Sequence, residues 1–302
     1  MTAIYAPEDR DGGGGPRAVQ HINAVCLWNL PDWSAAPKDE AGRLAALAAR
    51  GVRAFQHPEP ETLDAAAYAR AGLEVLGLSR IDAAGDADRV ARAHKAAGYP
   101  LTTLHVGTGL ETTDEAECLL GAVIEASVRH DHPMFVETHR ATVTQDIRRT
   151  LDLTGRLPEL RFNADLSHWY TGHEMTYGDL DAKIAMLRPV FERTRYVHGR
   201  IGTPCCMQAA LTGPDDDRDF VRHHRMLLAG VCEGFAATAA GGEALPFAAE
   251  LLPYEAAPHG VVERYYYAPL SPEGEETSDR WTQAEVLWNL FADCARGAGL
   301  TA

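Results

Sequence analysis

The chain has 302 residues, 46% of them hydrophobic, and its 28 basic against 43 acidic residues give a formal net charge of −15. That length suits one large core in the range of single-domain α/β barrels, and so acidic a molecule repels phosphate backbones and anionic bilayers, which argues against nucleic acid or membrane partners. No apolar run reaches the roughly 18 residues of a membrane span and the N-terminus lacks a secretory apolar core, so a cytoplasmic protein acting on a small molecule is expected, its six cysteines kept as reduced thiols.

The run "DGGGGPR" at 11–17 is costly to order and buries nothing, so residues 1–17 are expected as a flexible leader and 18–302 as the folded domain. Strand one is expected over "VQHINAVCLW" (19–28), with a helix over 37–50 that Pro37 helps to start. "VRAFQHP" (52–58) and "LEVLGLS" (73–79) follow as strands two and three, leading into helices over 60–70 and 85–97. Strand four, "LTTLHVG" (101–107), precedes a helix over 112–129 for which Thr113 offers a cap with acids behind it. "PMFVETH" (133–139), "LRFNADLS" (160–167), "TRYVHGRIG" (194–202) and "LPFAAEL" (245–251) complete the strands, with helices over 142–155, 179–192, 217–239 and 280–297. Eight βα units predict a (β/α)8 TIM barrel in a single domain, with a doubly wound open sheet as the rival.

In such a barrel the chemistry sits at the carboxyl ends of the strands. Strand five ends in Glu137 and His139, strand six in Asp165 and His168, strand seven in His198 and Arg200, and strand eight in Glu250. A lone acid there more often caps the next helix, but four consecutive strands ending in such groups argue for a shared centre. Glu137, Asp165, His198 and Glu250 form a set of three carboxylates and one imidazole. It suits one divalent ion with open positions, manganese foremost, then magnesium or cobalt, with zinc less suggested by so many oxygens. Glu255 is a weaker competitor for Glu250 because it lies past the strand.

The stretches "FVETHRATVTQD", "LRFNADLSHWY", "YVHGRIG" and "PFAAELLPY" resemble the xylose isomerase-like TIM-barrel superfamily of sugar isomerases and epimerases, 3-dehydroshikimate dehydratases and endonuclease IV. The resemblance implies that Glu137, Asp165, His198 and Glu250 ligate the metal, that His168 and Arg200 contact substrate, and that a homo-oligomer is compatible with the family. The "ETH" triplet resembles the dehydratases, where the histidine, here His139, is a candidate base. The multi-metal, DNA-binding branch fits poorly with so acidic a chain.

A metal-dependent isomerase or epimerase of a sugar or small hydroxy-carbonyl compound is therefore the leading expectation. Glu137, Glu250 or His139 would move protons, Arg200 would stabilise developing charge, and His168 would hydrogen-bond a hydroxyl. The alternatives are a dehydratase-type lyase with His139 as base, and a metal-binding barrel without catalysis. His21, His57 and His105 are weaker substrate candidates, and Trp28 and Trp169 candidate pocket walls. "RHHRM" (222–226) reads as a solvated helix face, "TGPDDDRD" (212–219) as a helix start, and "VVERYYYAPL" (261–270) as a cover for the barrel mouth or a subunit contact.

Overall fold

The computed structural model describes residues 17–24, 29–57, 60–257 and 261–302, and backbone alone for 23 and 24. Trp28, Cys26 and the leader up to residue 16 lie outside the described residues. Arg17 itself is tied to the barrel floor, donating from Nε to the Ala239 carbonyl at 2.8 Å while its own carbonyl accepts from Thr301.

Eight parallel strands close on themselves in sequence order, with no rearrangement of neighbours. They are β1 (Ala18–Ala24), β2 (Ala54–Gln56), β3 (Glu74–Ile81), β4 (Thr102–Val106), β5 (Met134–Glu137), β6 (Phe162–Ala164), β7 (Thr194–His198) and β8 (Ala244–Glu250). Strands β1 and β8 close the ring over a register running from Ala18 beside Ala244 to Ala24 beside Glu250. The helices are α1 (Glu40–Ala49), α2 (Ala65–Arg70), α3 (Ala84–Ala96), α4 (Thr113–His130), α5 (Ile147–Arg156), α6 (Leu166–Gly172), α7 (Leu180–Phe191), α8 (Asp219–Thr238) and α9 (Arg280–Gly297). A short antiparallel pair, β9 (Glu255–Ala256) with β10 (Glu263–Arg264), follows β8.

The predicted units are all present; they differ at their ends, and one further helix, α6, joins them. Thr112 rather than Thr113 caps α4, accepting from the Glu115 amide while the Glu115 carboxylate accepts from the Thr112 amide. Strand six stops at Ala164 because Asp165 turns its side chain back to accept from the Ser167 amide at 3.0 Å, capping the unforeseen α6. Helix α5 starts at Ile147, not at 142, because Thr142 and Thr144 spend their hydroxyls on loop backbone instead.

Between the strands and the helices lies the main apolar core, which includes Val136, Val197, Phe247, Leu227 and Phe291. A smaller cluster of Ile22, Ala54, Leu76, Phe135, Tyr196 and Ala248 fills the barrel interior. The side chains of one strand alternate between the two. The five described cysteines are free thiols.

Candidate functional site

The site follows from that alternation. Phe135, Tyr196 and Ala248 point inward as an apolar layer, so the residues two further on, Glu137, His198 and Glu250, point inward one layer closer to the mouth. Asp165 joins them two residues after inward-facing Asn163, which donates to Thr103 Oγ1 at 3.1 Å. Glu137, Asp165, His198 and Glu250 each offer a ligand atom lying within 4.8 Å of the others. Gly199 is required beside them, since a Cβ there would sit 1.9 Å from Phe247 Cζ.

Glu137 and Asp165 are fully buried, and Glu250 is the most open member, its side chain 16% exposed. His198 Nδ1 lies 3.5 Å from both Glu137 Oε2 and Glu250 Oε2. Its other nitrogen, Nε2, donates to Gln56 Oε1 at 2.5 Å, which fixes the ring so that Nδ1 faces the carboxylates. Gln56 is held in turn by the Tyr196 hydroxyl at 3.1 Å and by the Gly77 carbonyl.

Arg200 reaches into the same layer from beyond β7. Its Nη2 lies 2.6 Å from Asp165 Oδ2 and 3.4 Å from Glu250 Oε2, and donates to His168 Nε2 at 2.8 Å, so the His168 proton sits on Nδ1.

The electrostatics separate the acids. Burial alone would raise Glu137, but His198 and His105 hold it well below the usual carboxylate range. Burial raises Glu250, against the pull of Arg200 and His198. Burial would lower His198, yet Glu137 and Glu250 outweigh it and lift it to about 9. The acids thus favour positive charge among them.

A second convergence adjoins the first. His105, Glu137 and His139 also bring ligand atoms within 4.8 Å, with His105 Nε2 at 3.1 Å from Glu137 Oε2. His139 lies beyond the end of β5 rather than on it, yet still faces the centre, because Thr144 ties down both the Glu137 carbonyl and the His139 amide. Its ring stands 4.3 Å from that of His105 and 3.9 Å from that of His168. His139 Nδ1 donates to the Arg140 carbonyl, leaving Nε2 as the acceptor, and burial lowers the ring's pKa to about 4.

Above this layer opens a cavity of about 680 Å³ whose lining includes Arg140, His168, Cys206, Gln208, Tyr265 and Tyr267. The three-tyrosine segment therefore lies at the barrel mouth. Tyr267 accepts a hydrogen bond from Arg140, and its ring faces both the Arg140 and the Arg200 guanidinium, at 5.4 and 5.3 Å.

Of the remaining expectations some hold and others need correction. Trp169 belongs to the core and not to the pocket wall: it is 1% exposed and its Nε1 donates to the Thr144 carbonyl. His21 stacks on Trp288 at 4.3 Å, on the helix side of the barrel. His57 follows β2 beside Phe55. "RHHRM" is only partly a solvated face, since His224 is buried with Nδ1 donating to the Phe220 carbonyl, and His223 bonds Tyr170. In "TGPDDDRD", Asp216 accepts from the Thr212 amide and pairs with Arg218 ahead of α8, as a helix start would. Sequence reasoning passed over Gln56, although its spacing from Ala54 carried the signal. Arg140 and Tyr267 could not be placed together from sequence, being 127 residues apart.

No family model and no curated protein matches the sequence. Among solved structures, a sugar phosphate isomerase/epimerase from Parabacteroides distasonis ATCC 8503 superposes with a TM-score of 0.53 at 11% identity, over 98% of each chain. A xylose isomerase-like TIM barrel protein from Mycobacterium smegmatis, in complex with magnesium, gives 0.48 at 11% identity over 94% of this chain and 98% of that one. Endonuclease IV from Thermus thermophilus gives 0.47 at 17% identity over 92% and 100%. At these identities the likeness is one of fold: the chain is a (β/α)8 barrel.

Proposed function

We propose that the protein is a divalent-metal-dependent isomerase or epimerase of a sugar or small hydroxy-carbonyl substrate. The donor set carries this reading. Glu137 Oε1, Glu250 Oε2 and His198 Nδ1 are buried without hydrogen-bond partners and belong to the four residues that converge within 4.8 Å. Buried acceptors cost free energy unless something occupies the space between them, and three carboxylates with one imidazole suit manganese, magnesium or cobalt better than zinc. An ion held there would polarise a substrate carbonyl and favour loss of a proton from the adjacent carbon.

The protein's own groups divide the remaining work. Glu137, held ionised, anchors the centre, while Glu250, raised and nearest the opening, accepts and returns the proton. Arg200 stands ready to stabilise oxyanion charge, and His168 Nδ1–H, buried and unpartnered, to bind a substrate hydroxyl. The test is solvent deuterium uptake, followed by NMR over a panel of ketoses with the manganese-loaded protein. Deuterium should enter next to the carbonyl of at least one ketose and be lost in Glu250→Gln; metal binding with no exchange into any compound would contradict the reading.

His139 supports a second reading. Neutral, with Nε2 as the acceptor and its ring tilted against those of His105 and His168, it would serve as the base of a lyase of the 3-dehydroshikimate dehydratase type. That reading requires an aromatic absorbance to develop from 3-dehydroshikimate and to disappear in His139→Gln.

A further inference from the structure

We propose that Arg140 and Tyr267, together with Arg200, form a clamp for an anionic group, so that the substrate is an acid, a carboxylate or phosphate ester, and not a neutral sugar. This deepens the proposed function and rests on it for the position of the reacting carbon.

Arg140 lines the cavity, and among the described residues it makes no ion pair; its hydrogen bond goes to the Tyr267 hydroxyl. On the same ring lies Arg200, fully buried, whose Nη1 has no hydrogen-bond partner. Two guanidiniums thus meet on one tyrosine ring that lines the cavity, in a molecule whose net charge is −15. A surplus of donors at one spot on an acidic protein selects an anion locally.

The backbone is bent to bring the pair together: Ala141 and Tyr266, each adjacent to a clamp residue, hold left-handed φ values of 53° and 54°. Such conformations are unfavourable in residues with a Cβ, and they cluster at ligand clamps.

Isothermal titration of the manganese-loaded full chain with D-glycerate, glycerol 3-phosphate and glycerol tests the proposal, with metal content measured in parallel. At least one anion should bind about tenfold or more tightly than glycerol, and Arg140→Gln should remove that preference with metal content unchanged. Arg140→Lys should keep part of it, because the charge remains without the planar fork. Preference for glycerate assigns a carboxylate, and preference for glycerol 3-phosphate a phosphate. Equal binding of all three, or anion binding unchanged in Arg140→Gln, overturns the clamp. Failure of the metal reading would look different: no ion bound, with the Arg140-dependent anion preference intact.

Discussion

The two halves of the barrel contribute unlike chemistry to the same centre. Strands β5 to β8 end in Glu137, Asp165, His198 and Glu250, all ionisable, with Arg200 just beyond. Among the described residues, β1 to β4 contribute a neutral amide, Gln56, and one imidazole, His105. The second half places charge, and the first half aims it. Gln56 carries no charge of its own, yet its bond to Nε2 decides which nitrogen of His198 faces the acids.

Removing charge from the second half should have the largest effect. Asp165→Asn keeps the cap on α6 but leaves Arg200 short of its closest counter-charge, so thermal or denaturant unfolding should register a loss of about 3 kcal/mol or more. Activity should fall by about 10³-fold or more if the proposed centre is catalytic. Gln56→Leu, in the other half, changes no charge. It should weaken manganese binding by about 10- to 100-fold, read by competition titration, with little loss of fold. Equal damage from the two substitutions would break the division between aiming and placing.

His139→Gln sharpens the account within the charged half. If the protein is an isomerase, turnover should change by less than about tenfold, since Glu250 carries the proton; a base in a lyase would lose about 10²- to 10⁴-fold. Steady-state kinetics on both substrates separates these.

The smallest effect concerns stability alone. Burial lowers His224 from 6.5 to about 4 in the folded chain, so between those values the unfolded state binds more protons. Its contribution is complete above about pH 6.5 and is lost as pH falls towards 4, on the order of 3 kcal/mol for so buried a group. Denaturant midpoints across that range should show a slope that His224→Asn flattens.

The same contrast explains what the sequence could and could not tell. Ionisable residues at strand ends stand out against an apolar background, so the charged half was visible as a candidate set. In the structure they lie two residues beyond Phe135, Tyr196 and Ala248, and so on the same inward face. Gln56 looked like an ordinary polar strand end, since an amide's importance depends on what lies across the barrel, 142 residues away in this case. Trp169 misled for a related reason: its position beside His168 suggested the pocket, but the turn into α6 that Asp165 caps carries the indole into the core. Tyr267 lies on a long excursion after β8, and no local periodicity could fix where such a segment returns.

The central claim is that Glu137, Asp165, His198 and Glu250 hold one divalent ion. Elemental analysis of the purified full chain after manganese reconstitution, beside the Glu137→Gln variant, tests it most directly. About one ion per chain in the native protein, with the variant folded but depleted, is the result the account predicts. An unloaded native protein, or a variant that retains the full complement, would contradict it.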